Sequence, residues 1–147
     1  MSLPATELPL ADPLGRPRTV ALVSKDNGAG LTIDMQLLDH FLTEAGYQVR
    51  TVDWREKEMK LTDIAIFLEL YSTQLARCAY KTVGVFNPEW FMPYWRRHLP
   101  HISQLWCKSH SAVDLFNRYG LTNQHYTGFL SRYLHDPNVY EPGDGAT

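Results

Sequence analysis

Short apolar runs alternate with helical segments along most of this 147-residue chain, and this alternation constrains the fold more than any other feature. Six runs have the length and composition of β-strands. They cover residues 19–23, 47–53, 64–68, 82–86, 102–107 and 125–129. Because strands that alternate with helices form parallel sheets, the sequence predicts an α/β fold. We expect a single doubly wound, Rossmann-like parallel sheet of about six strands with helices on both faces.

Apolar spacing and stop residues define the helices between these strands. Apolar residues recur at helical spacing from Leu31 to Ala45, and Gly46 stands where a C-terminal cap belongs. The charged stretch 55–60 is a solvated connection with at most one helical turn. Further helical segments are predicted over 72–79, up to about 99, and over 110–119 with Gly120 as the stop.

Strand order follows from the connections. Three of the strands are continuously apolar, as expected when helices cover both faces of a sheet. Right-handed crossovers leave few topologies, and we predict the order 3-2-1-4-5 for the first five strands. This order places the switch point between strands 1 and 4. Ligands of open α/β sheets bind in the crevice at the carboxyl ends of the strands around such a point.

The domain is flanked by irregular segments. Residues 1–17 hold four prolines and read as an irregular lead-in, and residues 18–136 form the predicted domain. Residues 137–147 read as a flexible tail or the start of an interdomain linker. The two cysteines, Cys78 and Cys107, are expected to be reduced core thiols, since neither a disulfide scaffold nor a zinc site is indicated.

Charge and hydropathy exclude some classes of function. The net charge is −2 and there is no basic block, which argues against a dedicated nucleic-acid binder. No apolar run is long enough to span a membrane, and no signal peptide is evident, so we expect a cytoplasmic protein. The six histidines are scattered at spacings that indicate no metal site, and we expect no cofactor.

A glycine loop follows the first strand. Gly28 and Gly30 let the backbone approach a ligand, and the helix that follows offers free N–H groups to an anion. Asp53 ends the second strand, in the position of a ribose-binding acid. Ile33, however, stands where a dinucleotide fingerprint has its third glycine. The loop is therefore either a nucleotide site or a tight turn that needs a flexible backbone.

An unusual aromatic stretch, Asn87-Pro88-Glu89-Trp90-Phe91, follows the fourth strand. Asn87 suits a helix N-cap, Pro88 the first helical position, and Glu89 the positive end of the helix dipole. Local structure does not account for Trp90. Its ring either packs in the core or stacks on a sugar or a base, with Glu89 accepting hydrogen bonds from hydroxyl groups.

Two further charged residues follow strands. Glu69 comes directly after the third strand and is either a solvated charge or a ligand contact. Lys108 follows the fifth strand, where it is placed to bind phosphate or to pair with Glu89, and Ser109 is placed to cap the next helix. Because parallel strands share one carboxyl edge, we expect Glu69, Lys108, the glycine loop and the Trp90 segment to converge there.

These stretches resemble the N-terminal half of GT-B-type glycosyltransferases of the group 1 class. The resemblance spans about residues 18–135. It is carried by Gly28-Ala29-Gly30 with Asp34 early in the first helix, Glu69-Leu70, Asn87-Pro88-Glu89-Trp90-Phe91, Cys107-Lys108-Ser109, and Tyr126-Thr127-Gly128-Phe129 followed by Ser131-Arg132.

The resemblance implies an acceptor-side domain of an enzyme that moves a sugar from a nucleotide-sugar donor, without a bound metal. Gly28 and Gly30 would face the donor diphosphate, and Asp34 and Lys108 belong to the same candidate site. Glu69, Asn87, Glu89 and Trp90 would line the acceptor side. The implied partners are the donor, the acceptor and a C-terminal donor-binding domain that this sequence lacks. Because transfer needs both substrates in reacting geometry, the chain is predicted to be inactive alone.

Two alternatives remain open. Gly28, Gly30 and Asp53 also fit a stand-alone nucleotide or dinucleotide-binding module. The second alternative is a partner-binding α/β domain without a small ligand. In that case Trp90, Phe91 and Trp95 would be exposed and would form the binding surface. A receiver domain is disfavoured, because the third strand ends in Glu69 instead of a phosphorylatable aspartate.

Overall fold

A six-stranded parallel sheet forms the centre of the molecule in a computed structural model that describes residues 14–25, 30–87 and 93–128. The strands are β1 (Thr19–Ser24), β2 (Gln48–Asp53), β3 (Thr62–Leu68), β4 (Ala79–Val85), β5 (Gln104–Cys107) and β6 (Gln124–Tyr126). The helices are α1 (Gly30–Glu44), α2 (Thr73–Ala76), a 3₁₀ helix (Pro93–His101) and α3 (His110–Arg118).

The order of the strands is β2-β1-β3-β4-β5-β6, and every neighbouring pair is parallel. The predicted fold class is therefore confirmed. The predicted order 3-2-1-4-5 is wrong, because β1 lies between β2 and β3 and makes no ladder with β4. The switch point accordingly lies between β1 and β3, not between strands 1 and 4.

Burial explains why β2 lies at the margin of the sheet and β3 near its centre. The sequence of β2 is Gln-Val-Arg-Thr-Val-Asp, and none of its side chains is fully buried. Six of the seven residues of β3 are buried, including the run Ile64 to Leu68. A strand covered on both faces and flanked on both sides must be apolar throughout, which β2 is not. The polar residues within β2 were therefore the sequence feature that indicates a strand at the margin of the sheet, as in the observed strand order.

Each face of the sheet has its own cover. Leu37, Leu38 and Leu42 of α1 pack on one face, against alternate residues of β1, β3 and β4. The helices α2 and α3 and the 3₁₀ helix pack on the other face, around Phe67 and Phe116. Both phenylalanines are fully buried, and truncation of either to alanine should cost about 3–5 kcal/mol. The predicted two-sided arrangement of helices is confirmed.

Glycines end the two longer helices as the sequence predicts. Gly46 and Gly120 adopt positive φ angles of 103° and 78°, which side chains with a Cβ rarely tolerate. After each glycine the next N–H bonds back five residues, from Tyr47 to the Leu42 carbonyl and from Leu121 to the Phe116 carbonyl. This is the Schellman arrangement, which satisfies carbonyls that the helix end leaves open.

Several boundaries differ from their predicted positions. The helix predicted over 72–79 is the single turn α2, capped by the Ser72 side chain, which accepts a hydrogen bond from the Leu75 N–H. The predicted fifth strand starts at Gln104, not at residue 102, because Ile102 follows the 3₁₀ helix directly. Trp95, which the partner-binding alternative required to be exposed, is half-buried against the core. Trp90 and Phe91 lie outside the described residues.

Hydrogen bonds between side chains and backbone close the amino edge of the sheet. The Asp63 carboxylate accepts bonds from Arg18 Nη1 at 3.3 Å, from the Thr19 N–H at 2.9 Å and from the Thr19 hydroxyl at 3.1 Å. Farther along, Thr82 and Ser103 exchange two bonds, each N–H donating to the other's hydroxyl. These bonds tie the start of β1 to the start of β3, and the middle of β4 to the residue before β5.

Both cysteines are free. Cys107 is buried in the core, as predicted, and burial raises the pKa of its thiol to about 11. Cys78 is only half-buried. Of the helices within the described ranges, none has the length and apolar character needed to cross a membrane.

Candidate functional site

The carboxyl edge of the sheet collects the candidate residues that the structure describes. Glu69 follows β3, Asn87 follows β4 and Lys108 follows β5, so the three lie at the ends of neighbouring parallel strands. Asp34 joins them from α1, whose first residue is Gly30. The predicted convergence therefore holds for these residues. Gly28, Glu89 and Trp90 lie outside the described residues.

A buried ion pair links α1 to the end of β5. Lys108 Nζ donates to Asp34 Oδ2 at 2.8 Å, across 74 residues of chain. The side chain of Asp34 is only 8% exposed and that of Lys108 is 25% exposed. Taking charges out of water is costly, and the close contact offsets part of that cost. From the sequence, Lys108 was expected to bind phosphate or to pair with Glu89, whereas in the structure it pairs with Asp34.

The position of Asp34 on its helix explains its burial. Leu37 and Leu38 follow three and four residues later, so all three side chains lie on the core-facing side of α1. An aspartate on an otherwise apolar helix face was the sequence signal for a buried carboxylate. The resemblance had already singled out Asp34. The helical periodicity alone would also have identified it as a charged residue on an apolar face.

One oxygen of this carboxylate is left without a partner. Asp34 Oδ1 is buried and accepts no hydrogen bond within the part of the chain that the structure describes. Buried polar atoms are nearly always hydrogen-bonded, and leaving one unsatisfied costs about 1–3 kcal/mol or more. The oxygen thus keeps an unused acceptor position, which an O–H or N–H group reaches only when the groups that cover it move aside.

Glu69 occupies a strained backbone position. Its φ angle is 64°, in the left-handed region, and it is the only described residue other than glycine with a positive φ. Such a conformation costs about 1–2 kcal/mol for a residue with a Cβ. The Glu69 N–H donates to the Val85 carbonyl at 3.0 Å. Strain of this kind is most often found at functional sites.

The Glu69 carboxylate bridges the ends of β3 and β4. Its two oxygens accept the Asn87 N–H at 2.9 and 3.1 Å. The sequence left Glu69 as either a solvated charge or a ligand contact. In the structure it is half-buried, and its side chain holds the backbone after β4. This bond holds the backbone at Asn87, where the chain leaves β4. Residues 88–92 are not described, so the N-cap predicted at Asn87 and Pro88 remains a prediction.

The ends of β5 and β6 are tied together next to Lys108. Thr127 donates to the Cys107 carbonyl from both its N–H, at 2.9 Å, and its hydroxyl, at 3.1 Å. The Ser109 hydroxyl accepts the Ala112 N–H and caps α3, as predicted. The rings of His110 and Tyr126 stack at 4.0 Å, a contact that no sequence pattern indicated.

Asp53 lies at the end of β2, in register with Ser24 at the end of β1. Its carboxylate accepts three hydrogen bonds from Arg55, from the backbone N–H at 2.8 Å and from Nε and Nη2 at 3.0 Å. The hydrogen bonds from Arg55 hold the pKa of Asp53 below its usual value. The position therefore matches that of a ribose-binding acid, but a guanidinium already occupies both oxygens.

Within the described ranges, the structure brings together no three His, Cys, Asp or Glu side chains in an arrangement that could hold a metal ion. Comparison with family models, with curated proteins and with solved structures finds no match for this chain. The carboxyl edge thus holds a partly buried ion pair with an open acceptor at the end of β5, and a strained, bridging glutamate at the end of β3.

Proposed function

We propose that this chain is the acceptor-side domain of a glycosyltransferase, and that the carboxyl edge of its sheet binds a sugar hydroxyl. The observation that carries the proposal is the unsatisfied Oδ1 of Asp34 beside Lys108. We place the protein in the cytoplasm, where the free thiol of Cys78 would stay reduced.

The Asp34–Lys108 pair has the chemistry that sugar hydroxyls require. A hydroxyl both donates and accepts, so neighbouring hydroxyls of a sugar need an acceptor and a donor close together. Asp34 Oδ1 supplies the acceptor, and the ammonium of Lys108 supplies the donor. Bonds to charged partners are about twice as strong as neutral ones, which favours binding of a small polar ligand.

The start of α1 suits the anionic part of a nucleotide-sugar. The helix has 15 residues, and its first turn contains no acidic residue that would neutralise its positive end. Anions bind at such helix ends through free N–H groups. A donor diphosphate at Gly30, with an acceptor hydroxyl at Asp34, would bring the two reactants of a sugar transfer together.

The role of this domain would be to hold the acceptor in position. In the reaction, the bond from the sugar carbon to the donor phosphate breaks, and a bond to the acceptor oxygen forms. The hydroxyl proton passes to a base, and the nucleotide leaves as an anion. Because positioning of both reactants supplies much of the rate, the domain should show no turnover without a donor-binding domain.

Sugar binding can be tested with two aspartate variants of α1. In NMR titrations with a panel of mono- and disaccharides, we expect chemical-shift changes at Lys108 and Asn87. Asp34→Asn should weaken the binding by about tenfold or more, since a charged acceptor is lost. Asp39→Asn is the matched control, because Asp39 bonds only to Thr43 on the same helix. Absence of sugar binding, or equal binding by both variants, would refute the proposal.

A nucleotide or dinucleotide-binding module is the second candidate, favoured by Asp53 at the end of β2 beside the end of β1. Thermal shifts with NAD, NADP, UDP and UDP-glucose distinguish the two candidates. A stabilisation by NAD or NADP that Asp53→Ala abolishes would establish this alternative, because loss on that substitution assigns the binding to the end of β2.

A further inference from the structure

A groove separate from the carboxyl edge runs between the 3₁₀ helix and the end of α3. Its volume is about 480 Å³, within the range of small-molecule sites. α3 begins beside Lys108 and ends at Arg118, so the groove at Tyr119 lies roughly 14 Å, one helix length, from that edge. Its main lining residues are Pro93, Tyr94, Arg96, Arg97, Tyr119 and Leu121.

Positive charge is concentrated around this groove. The two segments that line it, residues 93–100 and 118–121, contain three arginines and no acid, although the whole chain carries a net charge of −2. Arg96 and Arg97 both line the groove, and neither forms an ion pair with a carboxylate of the described residues. The groove therefore favours an anion over a neutral or cationic ligand.

Arg96 is held in place by an aromatic ring. Its guanidinium carbon lies 3.9 Å from the centroid of the Tyr119 ring, which is a cation–π contact. The contact places the guanidinium over the ring, and no ion pair with a carboxylate of the described residues competes for its N–H groups. A guanidinium fixed in this way binds phosphate oxygens through two parallel hydrogen bonds with less loss of side-chain entropy.

The groove also offers an exposed aromatic surface. Tyr94 is 56% exposed, and its ring meets that of Trp95 edge-on at 5.2 Å. Trp95 packs against the core, so it gives Tyr94 a fixed support. A large aromatic side chain that stays accessible next to two arginines can stack with a flat ring.

We propose that this groove binds a nucleoside phosphate, with the phosphate on Arg96 and Arg97 and the base stacked on Tyr94. The two guanidiniums account for the anion, and the apolar lining with its exposed tyrosine accounts for the flat ring. The site lies beyond the proposed sugar site and shares none of its residues. A nucleotide bound here would occupy a second position on the chain.

The test is a calorimetric titration of the full chain with AMP, adenosine and inorganic phosphate. We expect AMP to bind, and adenosine and phosphate each to bind at least about tenfold more weakly, because each keeps only one of the two interactions. Arg96→Gln with Arg97→Gln should remove AMP binding, and Tyr94→Ala should weaken it. Arg77→Gln, another exposed arginine, is the matched control and should bind AMP like the wild type.

Two results would overturn the proposal. One is no AMP binding at millimolar concentration by a chain whose thermal unfolding shows that it is folded. The other is AMP binding that survives the double arginine substitution. Oligonucleotides of six nucleotides form a further arm, and much tighter binding of these than of AMP would replace the proposal with a single-strand site. Asp34→Asn should bind AMP normally, so failure at the sugar site leaves this test unaffected.

Discussion

The two edges of the sheet each hold a carboxylate, and they hold it differently. At the amino edge, Asp63 accepts three hydrogen bonds, and Thr82 and Ser103 exchange two more. At the carboxyl edge, Asp34 is buried with one oxygen unsatisfied, and Glu69 holds a left-handed backbone. The amide oxygens of Asn123 and Gln124, at the start of β6, are also buried without a partner among the described residues, so the contrast concerns the two carboxylates and the backbone. The Asp63 carboxylate is arranged for stability, whereas the carboxyl edge keeps a strained backbone and a carboxylate with an open acceptor, as binding sites often do.

The largest effect is expected from breaking the buried ion pair. Lys108→Met leaves the Asp34 carboxylate buried without its partner and should cost about 3–5 kcal/mol of unfolding free energy. The double variant Asp34→Leu with Lys108→Met removes both charges and should recover most of this loss. Urea unfolding of the three proteins measures both values. A loss below about 1 kcal/mol for Lys108→Met would mean that Asp34 is hydrated and the contrast between the edges is false.

The amino edge should respond in stability alone. Asp63→Ala removes the acceptor for Arg18 and for two groups of Thr19, and we expect a loss of about 2–3 kcal/mol. Sugar titration of this variant should match the wild type, as followed at the Lys108 amide. Weakened sugar binding by a folded Asp63→Ala protein would show that the two edges are coupled.

The strain at Glu69 can be isolated by comparing two substitutions. Glu69→Ala and Glu69→Gly both remove the carboxylate that holds the Asn87 N–H. Only glycine adopts a φ of 64° without steric cost, so the glycine variant should be more stable by about 1 kcal/mol. The denaturant midpoints of the two variants measure this difference in stability. Equal midpoints would mean that the backbone at Glu69 is not strained.

The smallest effect is expected at the exposed Asp53–Arg55 pair. Because Arg55 lowers the pKa of Asp53 in the folded state, the pair contributes stability above the unfolded pKa near 3.8. That contribution is lost as the pH falls through the folded pKa. In an NMR titration, Arg55→Gln should raise the pKa of Asp53 toward its usual value. An unchanged pKa would show that the pair does not form in solution.

Local patterns predicted the elements, but not which strands are neighbours. The apolar run 64–68 and the stop at Gly46 follow from side-chain periodicity and backbone freedom, which each segment carries in itself. Strand order depends on contacts between distant segments, and both candidate orders satisfy the same crossover rule. Only the polar residues of β2, such as Arg50, distinguish a marginal strand from a central one.

The candidate site was predictable to a similar extent. Glu69, Asn87 and Lys108 follow strands, so their common edge follows from the parallel fold. The pairing of Lys108 with Asp34 joins residues 74 positions apart and depends on where α1 crosses the sheet. The positive φ of Glu69 could not be predicted from the sequence either, because glutamate rarely adopts this conformation.

The outermost strands determine whether copies of this sheet can join to one another. An unpaired strand exposes a row of N–H and C=O groups that can template an intermolecular ladder. β6 is only three residues long, and β2 carries Arg50, whose guanidinium donates to the Lys60 carbonyl beside it. Short length on one side and bound charge on the other disfavour fibril growth, so the protein should remain dispersed at the concentrations that the titrations need.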